Sequence, residues 1–493
     1  MYYLGIDLGS SSIKLALVES SSGKKVGLIQ EPEKEMSMHA PQSGWAEQDP
    51  TVWWSHVCIG IKKLKATYQI TENDILGIGI AYQMHGLVLV DEQGDSLRKS
   101  IIWCDSRAVE IGNEACNQIG NEKCYERLLN SPSNFTASKL KWVKENEPDV
   151  YNNIYKFMLP GDYIAYRLSN TINTTLSGLS EGIFWDFKED TISEDVTQYY
   201  GFNKNLMPDM VPTFGVQSKI SEKGAKETGL KIDTPILYRA GDQPNNALSL
   251  NVFHPGEVAA TGGTSGVVYA VTSNLSVKEA SRVNNFAHVN YVKGKVKNIG
   301  KLLCINGAGI QYRWLLNNLG VASYEEMNNL AKAVEIGADG VGIIPFGNGA
   351  ERMLENKEVG TRIFNLNLNR HSKAHLCRAA LEGIAFAFVY GIEIMKSDGI
   401  DAKVMRAGND NLFRSTIFSN TIATLTNQKI EIYDTTGAIG AARACALKNG
   451  EYELFTSFTK NDHIQTFEPN ENIAAYQKAY DNWKNELEII LNK

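Results

Sequence analysis

The 493-residue sequence contains no Cys-x-x-Cys pair, no long apolar run and no block of like charge. Its seven cysteines (Cys58, Cys104, Cys116, Cys124, Cys304, Cys377 and Cys445) are scattered, the nearest two being Cys116 and Cys124. That excludes a zinc or dithiol redox unit and points to a reducing, cytoplasmic setting. No stretch approaches the roughly 18 apolar residues a membrane span needs. Met1 leads into Tyr2-Tyr3-Leu4-Gly5 without a basic start, so neither export nor membrane insertion is expected. Lysine plus arginine number 49 against 56 aspartate plus glutamate, a formal charge of −7. Without clustered basic residues, nucleic acid and anionic membranes are poor partners, and a small diffusible substrate suits the chain better. No tandem repeat is visible, and the longest low-complexity tract is Ser20-Ser21-Ser22.

What is present is ample apolar material: 43 % hydrophobic against 21 % charged residues. A chain of this length exceeds what one core holds, roughly 250 to 300 residues, so two large domains are expected. Residues 2–7 and 13–18 read as strands around the polar tip Leu8-Gly9-Ser10-Ser11-Ser12. A second unit of the same kind follows far downstream: Glu257-Val258-Ala259-Ala260-Thr261, the tip Gly262-Gly263-Thr264-Ser265-Gly266, then Val267–Val271. Two such hairpins half a chain apart suggest one domain type used twice, with the tips facing each other across a cleft. A further strand pair, Ile75–Tyr82 and Leu87–Asp91, flanks Gln83-Met84-His85-Gly86. Apolar spacing of three and four predicts helices over Thr51–Ala66, Ala137–Asn146, Ala308–Leu319, Ser372–Lys396, Phe413–Leu425 and Asn472–Leu491. Strands alternating with helices make the fold α/β. The expected division is residues 1–245, 246–450 and a C-terminal helical extension over 451–493.

Several segments carry residue types suited to phosphate chemistry. In Asp7-Leu8-Gly9-Ser10-Ser11-Ser12-Ile13-Lys14, backbone N–H groups and hydroxyls can converge on phosphate oxygens. Asp7 at the strand end can hold a hydrated Mg²⁺, and Lys14 can add a point charge. The spacing differs from a Walker P-loop. Gly263 and Thr264 form the second candidate cradle, although either tip could equally be a structural turn. His85 could bond sugar hydroxyls and Met84 could pack on their C–H face, but a lone histidine beside a strand is also a common structural residue. Asp242, in Tyr238-Arg239-Ala240-Gly241-Asp242-Gln243, is a candidate general base, or else a turn or cap aspartate. His371 and His375 lie four apart on a predicted helix, but without the Glu of a His-Glu-x-x-His site they read as solvent-facing polar residues. Trp53 and Trp54 read as packing residues, and Trp45 lies on a loop that could line a sugar cleft.

The paired tips, with Leu4-Gly5-Ile6-Asp7-Leu8-Gly9, resemble the phosphate-binding hairpins of the actin, hexokinase and chaperone ATPase superfamily. That resemblance implies two ribonuclease H-like domains flanking a deep cleft. More narrowly, the chain from Tyr2 to about Asn449 resembles the FGGY carbohydrate kinases. Thr136-Ala137-Ser138-Lys139-Leu140-Lys141-Trp142 follows that family's first signature, with Asn134 at its opening position. His375-Leu376-Cys377-Arg378-Ala379-Ala380-Leu381-Glu382-Gly383 follows the second, with Asn365 where a glycine is expected. Gln83-Met84-His85-Gly86 and Ile102-Trp103-Cys104-Asp105-Ser106-Arg107 are similar to the xylulokinase branch. The resemblance implies ATP and Mg²⁺ as cofactors and a ketose, D-xylulose foremost, as the sugar substrate. It implies Asp242 as general base and Met84, His85, Asp242 and Asn246 as sugar-binding residues. Gly9, Ser10, Ser11, Ser12, Lys14, Gly263 and Thr264 are implied on the phosphates, and Gly307, Gln311, Gly408 and Asn411 around the adenosine. Similar enzymes are commonly homodimers, and a homodimer is the matching expectation here. The competing readings are a kinase of the same family for L-ribulose, L-fuculose, gluconate or glycerol, and an actin- or chaperone-like ATPase.

Overall fold

A computed structural model of the protein describes residues 1–409, 411–448 and 451–493, the side chain of Asn411 excepted. The N-terminal half is built on six strands: β1 (Tyr2–Leu8), β2 (Ile13–Glu19), β3 (Lys25–Glu31), β4 (Ile75–Tyr82), β5 (Phe214–Lys219) and β6 (Pro235–Gly241). They lie in the order β5-β6-β4-β1-β2-β3. The C-terminal half contributes β7 (Glu257–Gly262), β8 (Gly266–Thr272), β9 (Asn284–Ala287), β10 (Ile299–Ile305), β11 (Val404–Gly408), β12 (Ile430–Tyr433) and β13 (His463–Phe467). Their order is β9-β10-β8-β7-β11-β12-β13.

Strand senses expose the duplication. In the first sheet β1 runs antiparallel to β2 and parallel to β4, which is parallel to β6, and β5 is antiparallel at the edge. In the second, β7 is antiparallel to β8 and parallel to β11, which is parallel to β12, with β13 antiparallel at the edge. The central strands are buried apolar runs such as Leu4, Ile6 and Leu8, or Ile78 and Ile80, as expected of sheets covered on both faces. The halves differ in two respects: the second sheet carries an additional edge strand, β9, and β5 precedes β6 along the chain whereas β13 follows β12.

Two helices after corresponding strands, Asp242–Ser249 and Gly437–Ala444, pack between the sheets. The second lies so close on the first domain's sheet that a Cβ on Gly5 would fall 1.9 Å from Ala438 O, and one on Gly79 1.9 Å from Ala441 O. Only glycine permits that approach. Residues 245 and 246 both lie inside the first of these helices. Residues 451–493 supply edge strand β13 and the helix Ile473–Leu491, whose Tyr480, Trp483 and Leu487 enter the C-terminal core. An apolar cluster from the long segment between β4 and β5, including Leu89, Phe135, Leu179 and Phe184, continues onto Tyr269, Phe286 and Leu302 of the second domain.

The anticipated helices form over Pro50–Tyr68, Thr136–Asn146, Gly309–Asn318, Lys373–Ser397, Thr416–Thr426 and Ile473–Leu491. One expected strand pairing does not. Val88–Val90 pairs with Lys156–Met158 rather than with Ile75–Tyr82, because the chain leaves the sheet at His85, whose φ is 61°. His371 precedes the helix that contains His375, and its Nδ1 accepts the Asn367 N–H at 2.9 Å. Asn365 adopts φ 58°, the left-handed region a glycine would fill and that asparagine tolerates well.

Candidate active site

The β1–β2 tip closes with Gly9 N–H donating to Ser12 O at 3.0 Å. Three neighbours hold it: Gln48 Nε2 donates to Ser10 O (2.7 Å), Met36 N to Ser11 O (2.7 Å) and Trp103 Nε1 to Ser10 Oγ (3.4 Å). Gln48 is itself fixed by Trp53 Nε1 at 3.1 Å. Asp7 and Lys14 are register partners at the foot of this hairpin. The β7–β8 tip docks on the start of the helix Gly309–Asn318, where Gly309 N donates to Gly263 O (3.1 Å) and Ile310 N to Thr264 O (3.0 Å). Beside it opens a cavity of about 620 Å³ lined by Gly262, Gly263, Thr264, Tyr312, Arg313 and Arg414 among others. That volume is in the range of nucleotide-sized ligands.

Asp242 is the first residue of the helix Asp242–Ser249, directly after β6. Burial, reinforced by the negative charge of Asp7, pushes its carboxyl up to about 7. Asp7 is likewise raised by burial, against the opposing pull of Lys14. Asp242 also acts on the Cys304 thiol, and Cys304 is the register partner of Val267, one residue past the second tip. Asp242 thus lies within electrostatic reach of Asp7 at the end of β1 and of Cys304 beside the second hairpin. Asn246 stands one helical turn after Asp242, on the same face. Its neighbour Asn245 instead donates to Gly437 O at 3.0 Å.

Met84 is buried and His85 half-buried at the crossing after β4. His85 Nδ1 lies 3.0 Å from Glu181 O. A carbonyl oxygen only accepts, so Nδ1 carries the proton. Burial, with Lys139 nearby, lowers the imidazole to about 3, so the ring is neutral at physiological pH and Nε2 is an acceptor. Phe135 and Phe286 wall the ring at centroid distances of 4.7 and 5.1 Å. Lys139 is wholly buried and donates to His85 O (2.9 Å) and Ile102 O (3.0 Å), pinning the loop. Asp105 accepts the Ala46 N–H at 2.6 Å and pairs with Arg107 at 2.6 Å. Arg107 stacks 3.7 Å over the Trp45 ring, while Trp53 and Trp54 are in the core.

The adenosine candidates are arranged less simply. Gly307 sits against Pro345 and Phe346, where a Cβ would meet Pro345 O at 2.5 Å. Its N–H and that of Asn306 donate to the two oxygens of Glu351, at 2.6 and 2.8 Å. Gln311 is buried at the start of the cavity-side helix, and Gly408 ends β11. Neither Gly307, Gln311 nor Gly408 lines the cavity, whose wall comes from Tyr312, Arg313, Asn328, Leu412 and Ser415. Asp410 and the Asn411 side chain lie outside the described residues. Sequence reasoning did not single out Gln48, Glu181, Glu351 or Tyr312. Each supports a loop or wall from a distant part of the chain, and no local spacing marks it. Lys139 had a signal, its place in the Thr136–Trp142 signature.

Residues 2–249 match the N-terminal domain of the FGGY family of carbohydrate kinases, and residues 258–448 match its C-terminal domain. The chain belongs to the FGGY family of carbohydrate kinases. The kinase is 30 % identical over 488 residues to a xylulose kinase from Staphylococcus epidermidis, covering 97 % of this chain and 94 % of that one. Among solved structures it is similar to a xyloylose kinase from Brucella ovis, with a TM-score of 0.87, 26 % identity and 99 % of both chains covered. It shares its fold with a Plasmodium falciparum glycerol kinase, with a TM-score of 0.86, 20 % identity, and 99 % and 98 % covered. The kinase is therefore an ATP-dependent phosphotransferase acting on a sugar or polyol, with two α/β domains flanking a cleft. Family membership sets aside the chaperone-like ATPase reading. Among the described residues, no helix is long and apolar enough to cross a membrane.

Proposed function

We propose that this kinase phosphorylates D-xylulose to D-xylulose 5-phosphate, with Asp242 as general base. The observation that carries the reading is the Asp242 carboxyl at the end of β6, raised to about 7 by burial and by the charge of Asp7. A base of that strength is matched to a neutral working pH. As the sugar oxygen bonds the γ-phosphorus and the bond to the β,γ-bridging oxygen breaks, Asp242 accepts the hydroxyl proton and ADP departs. Neutral His85 offers Nε2 to a sugar O–H, and Met84 packs on the carbon skeleton. Asn246, one turn after Asp242 on the same helical face, would bond a sugar hydroxyl. Ser11, Ser12 and the backbone of Ser10 hold phosphate oxygens from one side, in a tip closed by the Gly9 N–H on Ser12 O, and Gly263 and Thr264 hold them from the other. Lys14 adds positive charge at the foot of the first tip. Gly307, Gln311 and Gly408 would flank the adenosine more distantly than Tyr312 and Arg313, which line the cavity, and the Asn411 side chain lies outside the described residues.

The donor set fits a magnesium ion. Asp7 and Asp242 are buried carboxyls short of counter-charge, as their raised proton affinities record. Among the described residues no cluster of three or more metal-type side chains forms. Magnesium is commonly held by one or two carboxylates together with waters and substrate phosphates. Asp7, with Asp242 nearby, would hold it, and when bound it supplies charge neutralisation on the triphosphate. Support for a ketose comes from Met84 and His85 and from the relatives named xylulose kinase. The fold alone is shared with kinases named for gluconate and glycerol.

The test is an ADP-release assay across D-xylulose, L-ribulose, L-fuculose, gluconate and glycerol, in wild type and Asp242→Ala. D-Xylulose is expected to give the highest kcat/KM. In the variant, turnover is expected to fall by about two to four powers of ten while ATP still binds. A different preferred sugar overturns the substrate, and near-normal turnover of the variant removes the base.

A further inference from the structure

The cavity beside the second hairpin tip carries polar atoms that the protein itself leaves unused. Its walls come from Gly262, Gly263 and Thr264, from the helices Gly309–Asn318 and Tyr324–Lys332, and from the start of the helix Thr416–Thr426. Three buried side-chain atoms of lining residues have no hydrogen-bond partner among the described residues: Tyr312 Oη, Asn328 Oδ1 and Ser415 Oγ. Ser415 is the N-cap residue of Thr416–Thr426, where a serine hydroxyl ordinarily bonds the helix's first N–H groups, yet it makes no such bond. Tyr312 is 3 % exposed, and its ring stacks on Tyr324 at a centroid distance of 5.7 Å. A buried polar group without a partner costs free energy that a bound polar ligand can offset. Three of them on the lining of one cavity mark a wall suited to such a ligand.

Asn328 stands one turn after Tyr324 on the same helix, and its amide has a fixed orientation. Nδ2 donates to Tyr324 O at 2.8 Å. A carbonyl oxygen only accepts, so the amide cannot be turned over, and the acceptor Oδ1 is its free end. The other polar residues that this helix gives to the wall, Glu325, Asn329 and Lys332, are exposed. We propose that Asn328 is the residue that reads the nucleotide base, its Oδ1 accepting the exocyclic amino group of adenine and so selecting ATP. Adenine presents N–H donors at that position, whereas guanine and hypoxanthine present a carbonyl oxygen. Set against Oδ1, that oxygen places acceptor on acceptor and leaves the buried amide oxygen unpaired. Ser415, whose hydroxyl can donate, suits a ring nitrogen of the same base. The proposal rests on the base lying in this cavity with the phosphates at Gly263 and Thr264, and it is independent of the sugar and of Asp242.

The test follows sugar phosphate formed from ATP, inosine triphosphate and purine riboside triphosphate, the last carrying only hydrogen where adenine has its amino group. Wild type is expected to favour ATP over both by about tenfold or more in kcat/KM for the nucleotide. Asn328→Leu keeps the side-chain volume and removes both polar atoms, and Asn328→Ala, well accepted in a helix, is run beside it in case leucine disturbs the packing. Each variant is expected to lose about tenfold in kcat/KM for ATP, mostly through KM, and to use the three nucleotides within about threefold of one another. KM for the sugar is expected to stay unchanged. Equal use of the three nucleotides by wild type overturns the proposal without recourse to a variant. A preference for ATP that survives in the variants overturns it too, and the KM values then separate two failures. Raised together, they keep the base in the cavity and assign its amino group to another side chain; unchanged, they put the base elsewhere and remove the cavity reading as well.

Discussion

Replacing Asp242 by asparagine should make the protein more stable while disabling it. The carboxyl is raised from 3.8 to about 7 by burial and by Asp7. Three units at 1.36 kcal/mol each correspond to about 4 kcal/mol. The sign follows from which state holds the proton. The unfolded chain releases it near pH 4 and the folded protein only near 7, so native stability falls as pH rises through that interval. Asparagine has no proton to lose. The advantage of Asp242→Asn should therefore be roughly 2 kcal/mol at pH 5 and about 4 kcal/mol at pH 8. For a domain of about 250 residues, each kcal/mol moves Tm by roughly 2 °C, giving a gain of about 4 °C at pH 5 and 8 °C at pH 8. Scanning calorimetry without nucleotide or metal, at both pH values, measures this directly. An advantage that does not grow between them, or a variant less stable than wild type at pH 8, refutes the claim that burial strains this carboxylate.

Two further outcomes follow from packing and charge elsewhere. In Gly79→Val the new Cβ would lie 1.9 Å from Ala441 O, forcing the helix Gly437–Ala444 off the N-terminal sheet. Calorimetry should show a loss of about 1 to 3 kcal/mol or more, and an unchanged Tm would mean that the helix is free to move. Lys301 and Asp398 form a wholly buried pair at 2.5 Å, with Asp398 Oδ1 also accepting the Lys278 N–H at 2.6 Å. Lys301→Met should cost about 3 to 5 kcal/mol by stranding the carboxylate, and adding Asp398→Asn should restore part of it in thermal unfolding.

The duplicated architecture was legible because each half opens with the same local message: a β-branched run, a small polar tip, and a run back. Helices were legible for a related reason, since apolar spacing is a property of ten or so consecutive residues. Pairing was not. Leu87–Asp91 carries a strand signal, but alternation does not name a partner, and the positive φ at His85 that redirects the chain has no mark in a histidine. Asn365 shows the converse, a departure in residue type that keeps the left-handed turn.

The same division runs through the site. Asp7 and Asp242 each stand at the end of a buried strand, but position alone left Asp242 open between a cap or turn residue and a base, and its proposed role came from the family resemblance. The residues that make those acids useful come from elsewhere. Gln48 holds the first tip, Lys139 and Glu181 hold the Met84–His85 loop, and Glu351 holds the Asn306–Gly307 turn. The first three act across 38, 54 and 96 residues of chain, so no window of sequence contains both partners. Lys139 and Glu181 belong to the long segment between β4 and β5, which packs against the second domain through Phe135 and Phe286. On the proposed reading, substrate selection rests on that segment, whereas the two sheets supply the acids and the phosphate tips.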